Sequence, residues 1–128
     1  MDCPYWQTFS ETALQAIGGE AADATIAFVS DRQIKELNKR FRGIDSPTDV
    51  LSFPSRGEFD TSPDPNLGDI AISVERAESQ AEDNDLKFDQ EIAQLILHGL
   101  LHLHGYDHET DDGEMNRLEL RLRRKLGI

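Results

Sequence analysis

The stretch His98-Gly99-Leu100-Leu101-His102-Leu103-His104-Gly105-Tyr106-Asp107-His108 (HGLLHLHGYDH) ends an apolar run in which Ile92, Leu95, Ile96, Leu100 and Leu103 recur at helical spacing. Residues four apart on a helix share a face, with Cβ atoms about 5–6 Å apart. His98 and His102 can therefore reach one ion at the roughly 2.0–2.1 Å distance of zinc–nitrogen bonds. Gly105 fits the stop of that helix, because the residue after a helix commonly takes the left-handed conformation. The chain then doubles back and brings His108 round as a third ligand. Three protein ligands leave a fourth tetrahedral position open, the pattern of a catalytic zinc site, whereas the alternative is a surface cluster of histidines. His104 is rotated off the face shared by His98 and His102 and is read as a neighbour. Asp107 either orients a ligand imidazole or caps the loop.

Outward from this helix, the rest of the chain alternates helices and short strands. Trp6, Phe9, Ala13 and Ile17 predict a first helix over residues 4–17 that stops at Gly18-Gly19. ATIAFV (Ala24–Val29) is short and β-branched and predicts a strand. Ser30 and Gln33 make a capping-box start for a helix whose buried stripe is Ile34, Leu37 and Phe41, and Gly43 ends it. After the Asp45-Ser46-Pro47 turn, Thr48–Phe53 reads as a second strand closed by Pro54, and residues 55–66 as a surface loop. Leu67–Ser73 is a third strand, and Ser73 caps a helix running to about Asn84. Asp89 or a neighbour opens the histidine-bearing helix. A last helix over about 112–126 carries Met115, Leu118, Leu122 and Leu126 on one stripe, with Arg123, Arg124 and Lys125 at its negative end. The expected fold is α+β, one small domain over residues 1–128 with a short sheet among helices.

Composition narrows the possibilities. Cys3 is the only cysteine, so a metal is held by His, Asp or Glu, and an intrachain disulfide is excluded. No run approaches the roughly 20 apolar residues of a membrane span, and the N-terminus lacks the basic start and apolar centre of a signal peptide. A soluble cytoplasmic protein is expected, with no membrane partner. The net charge of −12 argues against non-specific clinging to nucleic acid. Yet Asp31–Arg42 holds Arg32, Lys35, Lys39, Arg40 and Arg42 against only Asp31 and Glu36, so a local basic face survives.

The glycine at position 99 bears on the chemistry. In metallopeptidases with H-E-x-x-H-x-x-G-x-x-H the second residue is the glutamate that moves protons during amide hydrolysis. Phosphodiester cleavage asks less of such a group. Zinc lowers the pKa of its water to around 7, and the added need is positive charge at the phosphate oxygens, which an arginine supplies bidentately. Arg42 is the candidate: it closes the basic helix just before a glycine and the Pro47-Thr48-Asp49 turn. Its other reading is neutralisation of the carbonyl end of its own helix.

HGLLHLHGYDH, together with LNKRFRGIDSPTDVLSFP (Leu37–Pro54) and LGDIAIS (Leu67–Ser73), resembles the motifs of the bacterial YbeY family over about the C-terminal three quarters of the chain. The resemblance implies a metal-dependent endoribonuclease that prefers single strands. It implies action in ribosomal RNA maturation, notably at the 3′ end of the small-subunit 16S RNA, and in ribosome quality control. It also implies one zinc ion on His98, His102 and His108, a functional arginine at Arg42 in Phe41-Arg42-Gly43, and a mixed sheet among helices resembling a zinc-protease core. The chain begins almost directly in a helix where family members often have a strand first, so a sheet with one edge strand fewer is expected.

Two other readings keep the same histidines. A metallopeptidase needs a carboxylate from elsewhere, and Glu109 lies outside the helix face where the base sits. A ribosome-assembly factor with a structural metal uses the basic helix as its contact surface. The charge of −12 calls for a protein partner that delivers the RNA, and the resemblance implies that this partner is the ribosome or a small-subunit protein.

Overall fold

The computed structural model describes residues 3–17, 23–54, 66–103 and 113–128. Along the chain these form α1 (Cys3–Ile17), β1 (Asp23–Val29), α2 (Asp31–Arg42), β2 (Val50–Pro54), β3 (Asn66–Ser73), α3 (Val74–Asp83), α4 (Phe88–Leu103) and α5 (Glu114–Leu126). The Gly18-Gly19 stop and the loop over 55–65 lie outside the described residues, and Asn66, expected in that loop, already belongs to β3.

The sheet is mixed, in the order β1-β3-β2, with β1 parallel and β2 antiparallel to β3. Alternation along β3 decides what covers each face. Ile70 and Ile72 point into the main core with α1 and α4, while Ala71 and its pair Leu51 turn to the other face and pack on Ile34 of α2. Helix α4 runs through the middle: Ile92, Ile96, Leu97, Leu100 and Leu101 are fully buried, each contributing about 1.5–3 kcal/mol by leaving water. A helix apolar on nearly every side is one enclosed by other elements, and this one touches α1, α3, α5, β2 and β3.

Caps fix where α2 and α3 start. Ser30 accepts from the Gln33 N–H while Gln33 accepts from the Ser30 N–H, the capping box expected from their spacing. Ser73 accepts from the Arg76 N–H at the start of α3. The two starts are tied together, because Asp31 accepts from both Ser73 Oγ and Arg76 Nε.

One expectation is corrected. Ile34 is fully buried and Leu37 half-buried, but Phe41 is 59% exposed. The last turn of α2 passes the edge strand β2, so Phe41 reaches only its outermost ring, meeting Phe53 edge-on at 5.3 Å between centroids.

Candidate active site

Two neighbouring turns of α4 present His98 and His102 to one point. Their Nε2 atoms are 3.0 Å apart and the rings stand edge-on, 79° between planes. His98 is fixed from behind: its Nδ1 lies 2.9 Å from Oε1 of Glu119 on α5. A carboxylate only accepts, so Nδ1 carries the proton and Nε2 turns toward His102. Glu119 is itself 5% exposed, and Arg123 one turn on approaches its other oxygen at 3.5 Å.

Facing ring nitrogens at this distance need a proton or a cation between them. The donor set fits zinc: two imidazoles preset by i, i+4 spacing, one with its tautomer held by a buried carboxylate. Among the described residues no third His, Cys, Asp or Glu joins them to form a metal-holding group. His108, the expected third ligand, lies outside the described residues, as do His104, Gly105, Asp107 and Glu109.

Gly99 is explained by packing. A Cβ there would stand 3.0–3.3 Å from three side-chain carbons of Ile70, which is fully buried in β3. The position faces the sheet, so any side chain larger than hydrogen would make Ile70 give by a few tenths of an ångström. The Gly99 carbonyl also accepts from Ser52 Oγ at 3.2 Å, which ties α4 to β2 across the same contact.

Arg42 joins the two histidines in one cleft of about 510 Å³, lined also by Thr48, Asp49, Ser52 and Leu103. The reason lies at the end of α2. Gly43 takes the left-handed conformation, φ 70°, and the Gly43 and Ile44 N–H groups donate to the carbonyls of Lys39 and Asn38. Those carbonyls are satisfied by backbone, leaving the Arg42 side chain to line the cleft. Buried Asn38 donates to the Ser46 carbonyl at 2.9 Å and so holds the turn that delivers Thr48 and Asp49.

A second, polar cavity lies on the other side of His98, bounded by Asp49, Gln80, Glu91, Gln94, Glu119 and Arg123 among others. Burial pushes the Glu91 carboxyl above its ordinary range and the charge of Asp49 pushes the same way, while a hydrogen bond from Asn84 and the charge of Arg123 oppose them. Turned to its better-bonded orientation, the Gln80 amide donates to both Asp49 and Glu91.

Sequence reasoning missed Glu119, although the signal was present. Met115, Glu119 and Leu122 follow i, i+4, i+7, which puts a carboxylate in the buried stripe of α5. A buried acid needs a partner, and His98 is that partner.

Comparison with known proteins bears on the family. A family model described as Endoribonuclease YbeY matches residues 5–127. An endoribonuclease YbeY of Solibacter usitatus is 46% identical over 90% of this chain and 74% of its own length. That of Nautilia profundicola is 47% identical over 83% and 73%, and that of Sinorhizobium medicae 39% over 95% and 82%. The solution structure of TM1509 from Thermotoga maritima superposes with a TM-score of 0.63 at 32% identity, covering 96% of this chain and 79% of that one. With nearly its whole length matched, the chain belongs to the endoribonuclease YbeY family.

Proposed function

We propose that this chain is a zinc-dependent endoribonuclease preferring single strands, acting in ribosomal RNA maturation at the 3′ end of the small-subunit RNA and in ribosome quality control. The observation that carries the reading is that Arg42 lines the same cleft as the facing His98 and His102. The relatives' name, endoribonuclease, supports it.

His98, His102 and His108 would hold the zinc. When bound, the ion supplies a Lewis acid and lowers the pKa of water to around 7. Arg42 presents its planar, permanently charged fork to the phosphate oxygens, where charge builds as the phosphodiester is attacked. Glu119 keeps the His98 proton on Nδ1 and so keeps Nε2 available. Thr48 and Ser52 also line the cleft, their hydroxyls donating to Asp49 Oδ1 and to the Gly99 carbonyl. Position 99 is a glycine that packs closely on Ile70 and carries no carboxylate, which disfavours a peptidase using the usual helix-borne base. Ribosomal or small-subunit proteins are the expected partners, delivering RNA to a chain of net charge −12.

The test is cleavage of an end-labelled single-stranded RNA by zinc-loaded protein beside an identically purified His102→Ala variant. Cleavage by the first alone is expected. Equal cleavage by both, or none by either with zinc bound, would replace the enzyme by an assembly factor with a structural metal.

A further inference from the structure

Two of the four large apolar side chains exposed among the described residues, Phe41 and Ile44, flank Arg42. Phe41 is braced by Phe53 and remains 59% exposed, with the Arg40 guanidinium over its ring, 5.6 Å from the centroid. Around them Arg32, Lys35, Lys39, Arg40 and Arg42 are all exposed. Lys35 and Lys39 approach Asp45 only at 4.0 Å with at least half of each side chain exposed, a pairing too weak to neutralise them.

An exposed flat ring capped by a guanidinium, inside a basic patch, is a combination on which unpaired bases stack, on the ring or on the guanidinium plane, while their phosphates meet cations. An anionic peptide would use the charges but not the ring. A duplex would use the phosphate contacts, but its bases are already stacked on one another. Resting on the endoribonuclease reading, we propose that Phe41 is a base-stacking platform for single-stranded RNA, seating one base beside the cleft in which Arg42 takes a phosphate. The platform is a source of single-strand preference that needs no particular base, because every base has a π face.

The experiment measures binding to a single-stranded oligonucleotide carrying one 2-aminopurine, by anisotropy for affinity and by 2-aminopurine quenching for stacking, with a duplex of the same sequence as control. Phe41→Leu keeps apolar bulk and the contact with Phe53 but has no π face. It is expected to lose about tenfold in single-strand affinity, together with the quenching, and to bind duplex as the parent does. Phe41→Trp is expected to restore both. Parent-like single-strand affinity and quenching in Phe41→Leu would overturn the platform while leaving the nuclease reading intact. Failure of the parent to bind the single strand, or binding of phosphatidylserine vesicles in its place, would overturn the platform, while the nuclease reading stands or falls on cleavage beside the His102→Ala variant.

Discussion

At the scale of single residues, Glu119 and Gly99 define the proposed metal site by opposite means. Glu119 touches a ligand and no substrate, so its loss should appear in the metal first. Glu119→Ala is expected to lower zinc affinity about 10–100-fold by competition with a chromophoric chelator, and Glu119→Gln, which still accepts from Nδ1, to recover part of it. An unchanged affinity in Glu119→Ala would make the 2.9 Å contact incidental. Gly99 acts by being small. Gly99→Ala forces a methyl against the fully buried Ile70 and is expected to cost about 1–3 kcal/mol in urea unfolding, despite the better helix propensity of alanine. A stabilised Gly99→Ala would mean that β3 yields to the methyl. The pairing of His98 with His102 was legible because i, i+4 spacing is a local rule. The tie to Glu119, 21 residues away, was legible only as an acid out of place in an apolar stripe.

At the scale of elements, α2 and α4 show what local pattern decides and what tertiary context decides. The bounds of α2 follow from Ser30, Gln33 and Gly43, and Ser30→Ala should cost about 1 kcal/mol by freeing the Gln33 N–H. Periodicity also placed Phe41 in the buried stripe, which failed because a pattern does not know where the sheet beneath it ends. Along α4 the apolar residues announced a core helix, while Glu91, 5% exposed in its first turn, was hidden among them. Its raised pKa carries a pH signature. A carboxyl that binds its proton more tightly in the folded chain contributes stability that is complete below the unfolded value and is lost as pH rises through the folded one. Glu91→Gln cannot lose a proton, so its stability relative to the parent should climb as pH rises from the ordinary carboxylate range, about 4, through the raised folded value, and level off below about 4. Denaturant melts at a series of pH values measure this, and a difference that does not vary with pH would mean that Glu91 titrates normally.

At the scale of the whole molecule the contradiction is one of charge, an acidic protein proposed to hold RNA. The −12 acts over distances that salt screens, because the Debye length is about 8 Å at physiological ionic strength, whereas the contacts at α2 are direct. Lys35, Lys39 and Arg42 follow i, i+4, i+7 and share one face, so about three phosphates are within their reach. Each phosphate neutralised on a single strand contributes roughly −0.7 to the slope of log K against log salt, which gives about −2 for the parent. Reversing Lys35 and Lys39 together to glutamate should weaken binding and flatten the slope to about −0.7, the share left to Arg42. Phe41→Leu should weaken binding with the slope kept near −2, since stacking releases no counterions. A filter-binding titration from low to moderate salt separates the two kinds of contact. A parent slope unaffected by the double reversal would move the RNA track off α2, and distributed repulsion from the acidic surface would then leave delivery by a protein partner as the way RNA reaches the Arg42 cleft.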